Sequence, residues 1–322
     1  MRMNTEWRQA RVRSAMEIAE GVRRVEFELQ GQIPAFDPGS HTNIAVTIDG
    51  ARAIRTYTCV PAAPNCLAIA VKLHPNSRGG SRFIWSLQPG DTVEITVPEN
   101  RFELSWRASH YLLVAGGIGV TPIYGMARAL MASGQNLRMV YGAASRSVMP
   151  FAAELTLLLD GKIEFFPADE GLNLDISAEI ARLPEDGEAY VCGPLGLLDA
   201  VKRLWLASGR PVSRLRYEVF GDNGRFAETP FEVSVLNRDI DILVRLDQSL
   251  LDALIGAGVD MVYDCQRGEC GLCAVRIIDK SGDVDHRDVF FSDAEKGENH
   301  QMCACVSRLT GGKAVIDIGY RR

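Results

Sequence analysis

Histidine is scarce in this 322-residue chain, and its five copies are scattered: His41, His74, His110, His286 and His300. No H-x-x-H or H-E-x-x-H spacing occurs, which disfavours a zinc hydrolase. No nucleophile-elbow signature occurs either, so Ser/His/Asp catalysis has no sequence support. An excess of positive charge is missing: 35 Lys and Arg stand against 41 Asp and Glu, net −6, so a nucleic-acid partner is not expected. Long apolar runs are missing too. The longest uncharged stretch, Ala108 to Ala127, could span a bilayer by length, but it contains His110, four glycines and Pro122. It reads instead as strand, turn and helix. The opening MRMNTEWRQARVRS holds no apolar run, so no signal peptide is expected. Repeats and low-complexity tracts are absent. What remains is ordinary globular composition, 47% apolar and 24% charged, in a length suited to two or three domains. The expectation is a cytoplasmic protein with no membrane association.

Cysteine is the residue in unusual supply. There are eight, and five (Cys265, Cys270, Cys273, Cys303, Cys305) fall in the last 58 positions. In a cytosolic chain of this length such crowding points to metal ligands or redox chemistry rather than disulfides. The segment DCQRGECGLC sets Cys265, Cys270 and Cys273 as C-x4-C-x2-C, the plant-type [2Fe–2S] spacing. Structural zinc favours paired C-x2-C knuckles, which do not occur here. Gly268 and Gly271 allow backbone N–H groups to turn toward the sulfurs. Cys303 and Cys305 stand two apart in QMCACVSR and would share one face of a strand, so spacing permits either as the fourth ligand.

Three segments organise the chain. The first ~105 residues hold short strands at 22–30, 41–48, 52–60 and 67–73, separated by Pro/Gly/Asn/Asp turns, which predicts a small antiparallel barrel. From Tyr111, strands at 111–115, 137–143, 162–168, 188–192 and 214–220 alternate with helices at 123–133, 151–159, 177–183 and 195–208. That rhythm predicts a doubly wound parallel sheet. GDNGRFAETP (221–230) reads as a linker. Two strands around Asn237-Arg238, a helix at 249–255 and strands at 274–278 and 314–318 then predict a small α+β domain. The resulting domain boundaries are 1–106, 107–222, a linker at 223–230, and 231–322. The last domain carries 16 acidic and 11 basic residues, so most of the net charge is there.

Two further motifs suggest phosphate binding. In YLLVAGGIGVTP, the glycines Gly116, Gly117 and Gly119 let backbone approach a phosphate at a helix start, with Thr121 and Pro122 in the first turn. The pattern is not G-x-G-x-x-G, and a plain strand–helix turn would read the same. VCGP, with Cys192, Gly193 and Pro194, closes the fourth strand of the same sheet, where ligands of open α/β sheets bind. Cys192 could contact a nicotinamide ring or simply be a small buried residue. In the barrel, RTYT puts Arg55, Tyr57 and Thr58 on one strand, and VKLHPNSRGGSRFIW runs through a glycine turn into a helix. A phosphate could sit on Arg78, Gly79, Gly80 and Ser81; a solvated edge and a capped helix is the plainer reading.

RTYT, RGGS, GGIGVTP, VCGP, YEVFG, C-x4-C-x2-C and CVSR, in this order, resemble the phthalate dioxygenase reductase family, to which vanillate demethylase and carnitine monooxygenase reductases are similar. The resemblance covers essentially the whole chain. It implies an FMN-binding antiparallel β-barrel, an NAD-binding α/β domain and a C-terminal α+β (β-grasp) ferredoxin domain. It places Arg55, Tyr57, Thr58, Val71, Lys72, Gly79, Gly80 and Ser81 on the flavin and its phosphate, with Thr58 where Ser is more usual. GGIGVTP and VCGP become the nicotinamide nucleotide site, with Phe220 near both rings. The family's last ligand directly precedes VSR, which favours Cys305. DHRD (285–288) also recurs in the family, and its only evident role is an acidic turn.

The implied activity is an NADH-dependent reductase that passes electrons through FMN and a [2Fe–2S] cluster to a separate Rieske-type terminal oxygenase. No oxygenase ligand set is present in this chain. A reductase of a di-iron monooxygenase is an alternative partner assignment, although many of those carry the ferredoxin domain first. A non-catalytic iron–sulfur redox sensor is the alternative of another class; it would bind no flavin.

Overall fold

The computed structural model describes residues 6–31, 33, 35–48, 50–74, 79–219, 226 and 228–319. The chain divides into two compact units, Met1–Glu218 and Val219–Arg322.

The first unit opens with a seven-stranded antiparallel sheet. Its strands are β1 (Trp7–Ala19), β2 (Val22–Leu29), β3 (Ser40–Ile48), β4 (Ala51–Val60) and β5 (Cys66–Lys72), then helix α1 (Gly80–Ser86), β6 (Thr92–Thr96) and β7 (Glu99–Asn100). The strand order is β4-β5-β2-β1-β6-β3-β7, and a further β3–β4 pairing closes the sheet into a barrel. Val25, Phe27, Ile44, Leu67, Ile69, Ile84 and Ile95 fill it. Trp85 donates its indole N–H to the Val71 carbonyl at 3.0 Å, which fixes α1 against β5.

The sequence reading missed β1. Only Ala10 and Val12 of its 13 residues are buried, and bulges at Val12/Ser14 and Glu17/Ala19 break the two-residue period. A strand that hides so little of itself has no alternation to detect.

The same unit continues as β8 (His110–Gly116), α2 (Val120–Ala132), β9 (Asn136–Ala143), α3 (Ala152–Leu159), β10 (Ile163–Pro167), α4 (Ile176–Arg182), β11 (Glu188–Gly193), α5 (Leu195–Ala207) and β12 (Leu215–Val219). The sheet order is β10-β9-β8-β11-β12. β8, β9, β10 and β11 run parallel, and the order reverses between β8 and β11. Near-continuous burial of β8 and β11 is the signature of strands covered on both faces.

The second unit comprises β13 (Phe231–Val235), β14 (Asp241–Val244), α6 (Leu250–Gly256), β15 (Ala274–Lys280), β16 (Val284–Asp285), α7 (Asp293–Glu298), β17 (Gln301–Cys303), β18 (Arg308–Leu309) and β19 (Lys313–Asp317). A mixed sheet of order β14-β13-β19-β15-β17 packs on α6. Ser249 caps α6 in a reciprocal capping box with Asp252. Among the described residues, no helix is long and apolar enough to cross a membrane.

Candidate functional site: a flavin cradle, a dinucleotide crevice and a thiol cluster

In the barrel, Gly79 sits at φ +86°, and a Cβ there would fall 2.6 Å from Ile48. That backbone turn admits only glycine without strain. At Gly80 a Cβ would lie 2.8 Å from Cγ of Arg55 and 3.1 Å from its Nε. The Arg55 side chain therefore crosses the start of α1, and a cation and a helix N-terminus converge there. Ser81 accepts a hydrogen bond from the His74 N–H at 3.3 Å. Val71 is buried and Lys72 is exposed. Arg78 and Phe220 lie outside the described residues.

Thr58, on the same strand as Arg55, lies 3.2 Å from Nε2 of His41, and that nitrogen lies 2.5 Å from the Glu218 carboxylate. All three are buried. This hydrogen-bonded row joins the barrel to β12. Sequence reasoning missed it, because nothing local links a histidine and a carboxylate 177 positions apart.

The GGIG and VCGP turns meet at the reversal between β8 and β11, with Cys192 paired to Ala115. A Cβ at Gly119 would overlap the Cys192 carbonyl, and one at Gly116 would lie 2.7 Å from Pro194. One at Gly193 would lie 2.9 Å from the Gly116 Cα. The glycines thus allow two backbone turns to touch. Gly117, at φ +52°, has open space at its Cβ position, and its carbonyl accepts from the Tyr141 hydroxyl at 3.1 Å. Thr121 returns its hydroxyl to the Ile118 carbonyl at 3.0 Å, and Pro122 occupies the first turn of the 13-residue α2. The result is a helix N-terminus aimed at a crevice at the strand-order switch, where a pyrophosphate is held in folds of this kind. The Cys192 side chain is wholly buried.

In the second unit, N–H groups of Arg267, Glu269 and Cys270 each point to the Cys265 sulfur at 3.4 Å. The loop curls through positive φ at Gln266, Gly268 and Gly271. A Cβ at Gly268 would lie 2.6 Å from Val306 and 2.8 Å from the Asp288 Cα, and at Gly271 it would enter the Phe290 ring. The thiols gather in two groups, a pair and a trio. Cys265 hydrogen-bonds Cys270, and Cys273 hydrogen-bonds Cys303 and Cys305. Those two bonds hold the Cys273 thiol far below its ordinary range and push Cys303 and Cys305 above it. Among the described residues, no three ligand side chains converge on one ion-sized point. Four thiolates on a two-iron core can be drawn from these two groups, so the donor set fits [2Fe–2S].

Cys303 and Cys305 do not share a strand face. β17 ends at Cys303, which pairs with Ala274, and Cys305 lies in the following turn. Cys305 receives the Gly268 N–H and feels the charge of both Cys273 and Cys265. Cys303 is influenced by Cys273, burial, Asp288 and Cys305.

Family models match in three consecutive blocks: an oxidoreductase FAD-binding domain over 9–104, an oxidoreductase NAD-binding domain over 113–203 and a 2Fe-2S iron-sulfur cluster binding domain over 234–310. Phthalate dioxygenase reductase of Burkholderia cepacia is 34% identical over 89% of this chain and 89% of its own. The chain belongs to the phthalate dioxygenase reductase family. Another relative, the vanillate O-demethylase oxidoreductase of a Pseudomonas species, is 33% identical over 94% of this chain and 96% of its own. A solved phthalate dioxygenase reductase, a modular structure for electron transfer from pyridine nucleotides to [2Fe–2S], superimposes with a TM-score of 0.78 at 30% identity, covering 97% and 98% of the two chains. This member of the family is accordingly an oxidoreductase with flavin, NAD and [2Fe–2S] domains. Its DHRD segment corrects one sequence expectation. It is more than an acidic turn: Asp285, Arg287 and Asp288 are all buried, and Arg287 donates to Asp285 at 2.8 Å.

Proposed function

We propose that this chain takes a hydride from NADH onto FMN and hands the electrons one at a time, through a [2Fe–2S] cluster, to a separate Rieske-type aromatic-ring oxygenase or O-demethylase. The observation that carries the reading is the presence, in one chain, of a dinucleotide crevice at the switch point and a three-cysteine loop whose last thiol meets those of the Cys303–Cys305 segment. A hydride brings two electrons together and the cluster takes one, so the flavin supplies the conversion between them. The chain's own groups bind and orient. The N-terminus of α2 and the GGIG backbone receive the pyrophosphate. Arg55 and the first turn of α1 receive one phosphate. Cys265, Cys270, Cys273 and Cys305 hold the irons, and the N–H groups aimed at Cys265 favour the reduced cluster. The test is anaerobic addition of NADH to the purified protein. Flavin bleaching followed by loss of the cluster's visible bands is expected, and electrons should then reach an added oxygenase. A protein that carries cluster but no flavin would be a sensor instead.

FMN rather than FAD is supported by a single convergence of cation and helix start in the barrel, Arg55 over Gly80. Chromatography of acid-released flavin should give FMN as the main species.

NADH should be preferred over NADPH by about tenfold in kcat/KM. Arg146, just past β9, donates to both oxygens of Glu170 past β10, at 2.5 and 3.0 Å. A 2′-phosphate there would meet a cation already paired and a carboxylate beside it. Glu170→Gln should narrow the preference; equal efficiencies in the parent would refute it.

The acidic second unit suggests a basic acceptor surface. Asp260 and Asp264 are exposed near the cysteine loop, whereas Glu269 pairs with Arg267 at 2.9 Å. Transfer to an oxygenase, or to cytochrome c as a basic stand-in, should slow as salt rises past a Debye length of ~8 Å. Asp264→Asn and Glu269→Gln should each reduce that slope; variants that match the parent beside a rate flat in salt would remove the idea.

A further inference from the structure

The buried DHRD segment has more to it than an internal ion pair. Asp288 is fully buried directly behind the three-cysteine loop. Its Cα is the atom that a Cβ on Gly268 would strike at 2.8 Å, and the next residue, Val289, donates its N–H to the Gly268 carbonyl at 2.9 Å. The Asp288 side chain faces the other cysteine segment. Its Oδ1 accepts from the Ser307 hydroxyl at 3.0 Å, two residues beyond Cys305, and Ser307 in turn donates its N–H to the Cys303 carbonyl at 2.9 Å. Oδ2 accepts from the Phe291 N–H at 3.1 Å. His286 Nδ1 lies 3.6 Å from Oδ1 and Lys296 Nζ lies 3.9 Å from Oδ2. One residue therefore touches the backbone of the first cysteine loop and the side chain that follows the last cysteine.

We propose that Asp288 is a positioning residue for the cluster: it ties the Cys265–Cys273 loop to the Cys305 segment and keeps a buried negative charge beside the sulfurs. The inference rests on the reading of these cysteines as [2Fe–2S] ligands. Burial alone would raise the Asp288 carboxyl, but His286, the Phe291 N–H, Lys296 and Ser307 together hold it below its ordinary value, so the charge persists. Cys303, outside the loop, feels that charge. A fixed anion in a low-dielectric shell opposes the addition of an electron to an already anionic cluster, and outer-shell hydrogen bonds of this kind orient the ligands themselves.

Two variants of the full-length holoprotein separate the tie from the charge. Asp288→Asn keeps the shape and one acceptor oxygen but removes the charge; a redox titration followed by electron paramagnetic resonance should show the cluster midpoint moved to a more positive potential. Ser307→Ala keeps the charge but cuts the tie; iron release to a chelator should quicken by about tenfold. A merely structural residue would change stability without moving the midpoint. If Asp288→Asn does not fold, the Ser307→Ala release rate decides. A parent with a full cluster, beside variants with its midpoint and its release rate, overturns the inference alone. A parent that binds no iron overturns the cysteine-site reading, and the inference with it.

Discussion

Cys305→Ser should purify with its flavin but with less than about a tenth of the parental iron and no cluster bands in the visible spectrum. Cys303→Ser should keep both. Three thiols from one loop and one from a second segment make up the four that a two-iron core needs, and a serine oxygen is a harder, poorer ligand than a thiolate. The candidates differ in where their sulfurs reach. Cys305 takes the Gly268 N–H and lies near Cys265 as well as Cys273, so it addresses both ends of the loop. Cys303 ends a strand opposite Ala274 and shares the hydrophobic core of the unit with Cys273 and Cys305. Replacing it with Ser puts a hydroxyl in an apolar site, at a stability cost of about 1–3 kcal/mol, without removing an iron ligand. Iron analysis with the visible spectrum distinguishes the two; the reverse pattern would make Cys303 the ligand.

Gly119→Ala should lower kcat/KM for NADH by about 100-fold, with flavin content and cluster spectrum retained. The added methyl group has nowhere to go, because the Cys192 carbonyl occupies its position and Gly193 N stands 2.7 Å away. The turn must separate from β11, and the N–H groups at the start of α2 move off the line of the pyrophosphate. Gly117→Ala is the comparison. No atom crowds its Cβ position, though its φ of +52° strains any side chain. It should lose less than Gly119→Ala. Single-turnover flavin reduction across an NADH series measures both. Equal losses would mean that backbone strain, rather than the approach of the two turns, governs the crevice.

What was legible in the sequence was whatever repeats locally. β8, α2 and β9 announce themselves by hydrophobic runs between glycine turns, and Cys265, Cys270 and Cys273 by spacing. Domain-scale order followed, because strand–helix alternation dictates a parallel sheet. What escaped was held by tertiary contact. β1 buries too little to show a period. The partners His41, Thr58 and Glu218 come from three strands. Ser307 and Asp288 are ordinary polar residues until the fold brings them within 3.0 Å. Cys303 and Cys305 misled for a geometric reason: an alternation argument assumes a continuing strand, and this one stops at Cys303.

The pairing of Ala274 with Cys303 also bears on how the protein is built in the cell. Ala274 immediately follows Cys273, and Cys303 is two residues from Cys305. Once β15 and β17 zip together, that pair of thiols is already neighbouring, as an ordinary product of sheet formation. Cys265 and Cys270 depend instead on a loop that curls through positive φ at Gln266, Gly268 and Gly271. A chain whose sheet has formed is thus expected to bring Cys273 and Cys305 together before Cys265 and Cys270 are engaged. Hydrogen exchange on freshly made, cluster-free protein should find the Met302 and Ala304 amides protected and those of Gln266–Glu269 open.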